Sequence, residues 1–235
     1  MIDFSFVGEV FFRLLAYLPM TLFLAIASMF FASLLALLLL YIRLQRVPFF
    51  SALADLYVLL ARALPTMIVL YLVFFALPVI LLFYSEASGR QISINAVPAA
   101  FFAVIGLTLH TAAYLTENFR SAVSSVEKGQ LEAALACGMT WRQAFFRILL
   151  PQAAVFAMPL AANQFLNLLK NTSIAFMITV MELFGAANVL SAENNQYLEV
   201  YLVLALMYWS ISVLFERLFF LLEQKLSFFK RRVQV

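Results

Sequence analysis

The sequence predicts an all-α integral membrane fold with five transmembrane helices, and three observations lead to it. The 235-residue chain is 66% hydrophobic and only 11% charged, with a mean hydropathy of +1.01. Soluble domains carry roughly 45–50% apolar and about 25% charged residues. The excess apolar surface therefore needs a lipid environment. Secondly, charge-free runs recur at the length of a bilayer span. Thirdly, the basic residues crowd into alternate connections. The runs lack period-2 alternation and are rich in Leu, Ala and Phe, so helices rather than a barrel are expected.

A helix needs about 20 mainly apolar residues to cross a bilayer. Four uncharged runs meet this requirement, at 14–42, 63–85, 94–116 and 148–169. A fifth spans 201–222, with Glu216 and Arg217 near one end. The first run is long enough to tilt or to begin along the interface. It is too long for the apolar part of a cleavable leader, and Asp3 and Glu9 precede it, so no signal peptide is expected.

The connections orient these spans. Arg43 and Arg46 follow the first, and Arg120, Lys128, Arg142 and Arg147 lie between the third and fourth. Lys225, Lys230, Arg231 and Arg232 follow the fifth. The opposite connections carry Arg90 alone on one side and Glu182, Glu193 and Glu199 on the other. Because cytoplasmic loops collect Lys and Arg, the N-terminus is expected outside and the C-terminus in the cytoplasm. The net charge of +3 then reflects these loops, and no nucleic-acid partner is expected.

Other classes lose support in turn. Cys137 is the only cysteine and His110 the only histidine, so neither a disulfide nor a structural zinc site can form within the chain. No P-loop motif is present, so any ATP must bind elsewhere. No catalytic constellation or cofactor motif emerges, and no enzyme activity is expected. Internal repeats, common in secondary transporters, are absent. Pro48, Pro65, Pro78, Pro98, Pro151 and Pro159 punctuate the spans or their ends.

Residues 121–150 are the least lipid-like part of what reads as a single membrane domain over 1–235. Ser124 and Glu127 have capping-box spacing, and Leu131, Ala134 and Leu135 give the following helix an apolar face. Gly138 can end it in a left-handed conformation. Thr140 and Gln143 repeat the capping spacing, and Pro151 suits the first turn of the fourth span. A bent helical hairpin in the cytoplasm is expected.

The hairpin carries Glu132-Ala133-Ala134, then Gly138, then Ile148-x-Leu150-Pro151. This pattern resembles the EAA motif of ATP-binding-cassette importer permeases. Tyr114-x-x-Glu117-x-x-Arg120, Lys128-Gly129-Gln130, Pro151-Gln152, Pro159, Asn163-Gln164-Phe165, Lys170-Asn171-Thr172-Ser173 and Arg62-x-x-Pro65 resemble the polar-amino-acid branch, which serves histidine, glutamine, arginine and cystine. The resemblance implies a permease subunit of the bacterial cytoplasmic membrane that moves a polar amino acid inward. It implies that Glu132, Ala133, Ala134 and Gly138 form a coupling helix that docks on an ATPase dimer. It further implies a second permease subunit, identical or related, and an extracytoplasmic binding protein.

Polar groups inside spans are functional candidates. His110, Tyr114 and Glu117 share a face of the third span, and Arg120 lies within reach of Glu117. Arg62, Asn163, Gln164, Asn167 and Lys170 complete the pathway candidates. The alternative for Glu117 and Arg120 is an ion pair that anchors the cytoplasmic edge, and for the amides, bonds between helices. A rival function is an ion-coupled secondary transporter that uses Glu117 or His110 as its proton carrier.

Overall fold

The computed structural model describes residues 4–89 and 97–233. Arg90 and the predicted start of the third span, Ile94, lie outside the described residues. The described chain is helical with no strand: α1 (Phe4–Leu15), α2 (Leu18–Leu44), α3 (Pro48–Ala63), α4 (Thr66–Ser88), α5 (Ala99–Ser124), α6 (Lys128–Ala136), α7 (Trp141–Ala144), α8 (Leu150–Asn171), α9 (Leu183–Asn194) and α10 (Tyr197–Val233). A π-helical turn, Phe145–Leu149, joins α7 to α8, and a 3₁₀ segment, Thr172–Ile178, follows α8. Among the described residues, five segments are long and apolar enough to span a membrane: Leu18–Leu44, Thr66–Ser88, Ala99–Ser124, Trp141–Ile178 and Tyr197–Lys225.

The expected spans are all present, with shifted starts. The first run breaks at Ala16–Tyr17, because Pro19 lies in the first turn of α2. The separate helix α1 packs Val10 and Leu14 against Leu183 of α9 and Val200 of α10. The second run starts at Thr66 rather than Ala63. Leu64, which precedes Pro65, takes an extended conformation (φ −88°, ψ 140°) that interrupts the helix.

Helix α5 is the centre of the bundle and packs on α2, α3, α4 and α8. The close approach of α2 rests on small residues. Ala32 and Ala36 meet Ala112 and Leu115, and Ser28 and Thr108 exchange hydrogen bonds with the facing backbones. Gly106 lets α4 pack equally close. A Cβ there would meet Leu70 Cδ1 at 2.8 Å and Leu70 Cα at 3.2 Å.

The hairpin differs from expectation at its first cap. Helix α5 runs on to Ser124, so Ser124 caps nothing, and Glu127 precedes α6 without a side-chain cap bond. Its bend and its second cap hold, whereas of the expected apolar face of α6 only Ala134 is buried and Leu135 is exposed. Gly138 takes φ +83°, and Thr140 and Gln143 form the reciprocal box, with Gln143 N donating to Thr140 Oγ1 at 3.3 Å and Thr140 N to Gln143 Oε1 at 2.9 Å. The second hairpin helix does not end before the span. It flows into α8 through the π-turn, with Pro151 in the first turn of α8.

Candidate functional site

A cavity of about 520 Å³ opens beside the middle of α5. Three pieces of chain wall it. The α3–α4 junction supplies Leu64, Pro65 and Thr66, α5 supplies His110 and Tyr114, and the end of α8 supplies Gln164, Asn167, Lys170 and Asn171. Pro65 breaks the helix here and places Thr66 against α5, with its Oγ1 3.3 Å from His110 Nε2. One turn along, the Tyr114 ring lies 5.1 Å from that of His110, centroid to centroid. The Tyr114 hydroxyl donates to the Arg62 carbonyl at 3.3 Å.

Helix α8 presents its polar side to the same space. Gln164 is buried, whereas Asn167 and Lys170, one turn apart on a shared face, are exposed. The chain therefore closes the cavity on one side and leaves it open on the other. Five of the eight predicted pathway positions converge here: His110, Tyr114, Gln164, Asn167 and Lys170. Asn163 lies exposed one turn before Asn167 and is not in the lining. Thr66 and Asn171 join the lining without having been singled out. Their signals were Pro65, which positions the first, and the Lys170-Asn171 pair, which contains the second.

Arg62 and Glu117 lie outside the lining, in an ion cluster between the cavity and the hairpin. Glu117 Oε1 accepts from Arg43 Nη1 at 2.5 Å. Its Oε2 accepts from Arg120 Nη2 at 2.8 Å and Nε at 3.0 Å. Arg62 Nη1 stands 3.9 Å from the same oxygen, and its guanidinium carbon lies 5.5 Å from the centroid of the Tyr114 ring. Arg43 also pairs with Asp55 at 2.7 Å, so the cluster ties α2, α3 and α5 together. The intrahelical pair of Glu117 and Arg120 is present, with two further guanidiniums that only the tertiary fold brings in.

A further carboxylate, Glu182, was read only as loop charge. Glu182 is fully buried at the N-terminus of α9. It accepts from Gly185 N at 2.8 Å, from the Tyr208 hydroxyl at 3.0 Å and from Thr21 Oγ1 at 3.4 Å. Burial pushes its carboxyl above the usual range, against these bonds, which hold it down. Tyr208 is drawn inward to this carboxylate. Glu is not among the residues that usually cap a helix N-terminus, so this role is visible only in the fold. Among the described residues, no three His, Cys, Asp or Glu side chains group as metal ligands.

The family model described as "Binding-protein-dependent transport system inner membrane component" matches residues 28–228. The probable amino-acid permease protein YxeN of Bacillus subtilis is 41% identical over 226 residues, covering 96% of each chain. The L-cystine transport system permease protein TcyL of the same organism is 36% identical over 225 residues, covering 96% of this chain and 92% of the relative. Among solved structures, an amino acid ABC transporter crystallised with histidines matches with a TM-score of 0.82 at 25% identity, over 96% of this chain and 99% of the other.

Proposed function

We infer what the chain does from the family it belongs to, the binding-protein-dependent transport system inner membrane components. It is a permease subunit of an ABC amino-acid transporter. Our proposal for its action is import: a polar amino acid crosses through the cavity beside His110 and Tyr114 into the cytoplasm. The observation that supports it most is the convergence of five polar span residues on one cavity. At about 520 Å³ the cavity falls in the usual range for small-molecule sites, roughly 300–1,000 Å³.

The open side of the cavity calls for a second permease subunit, identical or related, to complete the wall. The chain has no P-loop, so ATP hydrolysis falls to a pair of partner subunits. They would grip the hairpin, where Glu132, Ala133 and Gly138 are exposed and Ala134 is turned inward. An extracytoplasmic binding protein would deliver the substrate at the opposite end, near α9. The domain is then one membrane unit, with residues 121–150 as its coupling loop and the bacterial cytoplasmic membrane as its home.

The test uses the complete transporter, with ATPase and binding protein, in sealed vesicles. Thr66→Val and Asn167→Leu should each lower ATP-driven uptake about tenfold or more, since each removes a polar partner from the cavity wall. Co-purification of the ATPase should be unchanged. Wild-type uptake by both variants would rule this cavity out as the pathway.

A further inference from the structure

We propose that the hydrogen bond between Gln130 of α6 and Gln152 of α8 is the joint that carries movement of the hairpin into the cavity wall. The two are positioning residues: neither lines the cavity, and both act through α8. The inference rests on the reading of the hairpin as the part that the ATPase grips.

Helix α6 has two unlike faces. Gln130 and Ala134, one turn apart, are turned towards the bundle, Gln130 half-buried and Ala134 buried. Glu132 lies two residues from each, on the opposite and exposed side. A partner pressing on the Glu132 side therefore drives the Gln130 side against what lies behind it. Behind it are the π-turn, on which α6 packs, and the first turn of α8. Gln152 Nε2 donates to Gln130 Oε1 at 2.5 Å and to the Ile148 carbonyl at 3.1 Å. A carbonyl only accepts, so Ile148 fixes which end of the Gln152 amide donates. One side chain thus clamps α6, the π-turn and α8 together.

The backbone alone does not make this link. Between α6 and α8 it passes the Gly138 bend and then the π-turn, a kind of turn often found at functional sites. Along that route α6 can re-aim without taking α8 with it, and the side-chain bond closes the shorter route. From Gln152, α8 runs on through Pro159 to Gln164, Asn167 and Lys170 in the cavity wall. Gln164 lies about 18 Å further along the helix axis. Coupling between distant sites travels through such hydrogen bonds and rigid elements.

The test uses the complete transporter, with ATPase and binding protein, in sealed vesicles, and measures ATPase co-purification, ATP hydrolysis and uptake together. Gln130→Leu and Gln152→Leu should each keep the ATPase and hydrolyse ATP at the wild-type rate, while uptake per ATP falls about fivefold or more. The double leucine variant should be no worse than either single change, because the same bond is lost in all three. Gln130→Lys combined with Gln152→Glu restores a bond with donor and acceptor exchanged, and should return uptake per ATP to within about twofold of wild type. Wild-type uptake per ATP in both leucine variants would overturn the proposal. So would loss of the ATPase from them, since the pair would then be a brace for the hairpin, and so would a reversed pair no better than Gln130→Lys alone. Glu132→Lys and Gly138→Val, measured alongside, keep the two readings apart. If they lose the ATPase, the docking reading stands whatever the glutamine variants show. If both keep normal association and hydrolysis, that reading falls and takes this proposal with it.

Discussion

Glu117 receives three guanidiniums of unequal worth. Arg43 is only 19% exposed and bridges Glu117 to Asp55, while Arg62 and Arg120 are 45% and 49% exposed. Exposed ion pairs contribute about 0–1 kcal/mol, whereas removing one partner of a buried pair costs about 3–5 kcal/mol. Glu117, at 17% exposed, falls nearer the buried case. Glu117→Gln is therefore expected to destabilise the purified protein by about 1–3 kcal/mol. Arg43→Ala should follow closely, and Arg120→Ala should cost least, within about 1 kcal/mol. Thermal unfolding of the detergent-solubilised protein measures this order. Equal losses at Arg43 and Arg120 would mean that the contact through α2 adds nothing to the intrahelical pair. The pair itself was legible from its i, i+3 spacing. Arg43 was not, because it lies 74 residues away from Glu117 and only the crossing of α2 over α5 brings it there.

The long apolar elements were readable from the sequence because lipid imposes their length and composition. Two shorter elements escape that criterion. Helix α3 is amphipathic rather than uniformly apolar, and its signals are local: Pro48 in the first turn and the Leu64–Pro65 break at its end. Helix α9 is similarly short and hides behind the capping role of Glu182. The hairpin was readable in its sharpest feature, Gly138, and misread at Ser124, where a capping pattern sits inside a longer helix. At Gly138 a Cβ would have open space around it, so a substitution is opposed by the backbone alone, at φ +83°. A β-branched residue in that region is strained by about 1–2 kcal/mol or more. Gly138→Val should consequently re-aim α6 relative to α7 while the spans insert normally. Glu132→Lys, on the exposed side of α6, should leave the hairpin intact and reverse the charge at the proposed ATPase contact. Both variants should reach the membrane at wild-type levels and lose ATPase co-purification or substrate-stimulated hydrolysis. Normal association and hydrolysis in both would reduce the hairpin to a connector.

Charge divides the whole molecule into two unlike ends. The end that carries the hairpin holds Arg43, Arg46, Arg120, Lys128, Arg142 and Arg147. The other end holds Glu86, Glu182, Glu193 and Glu199, and its Arg13 is paired with Glu9 at 2.6 Å. Positively charged connections are retained in the cytoplasm during insertion, so the hairpin end should face inward and the α9 end outward. Two positions report on this without disturbing the bundle. Cys137, the only cysteine, is exposed at the hairpin. Ser88, exposed in the last turn of α4, marks the opposite end. It is a better reporter than Gly89, whose φ of +66° would strain any added side chain. In sealed cells a membrane-impermeant thiol reagent should leave the wild-type chain unlabelled until the membrane is permeabilised. It should label Ser88→Cys, combined with Cys137→Ser, at once. One span, Ala99–Ser124, separates the two positions, so the two results are inseparable. Labelling of Cys137 from outside would invert the topology, and the ATPase could then no longer reach the hairpin. Labelling of both positions from one side would mean that Ala99–Ser124 does not cross the membrane, and the five-span model would fail with it.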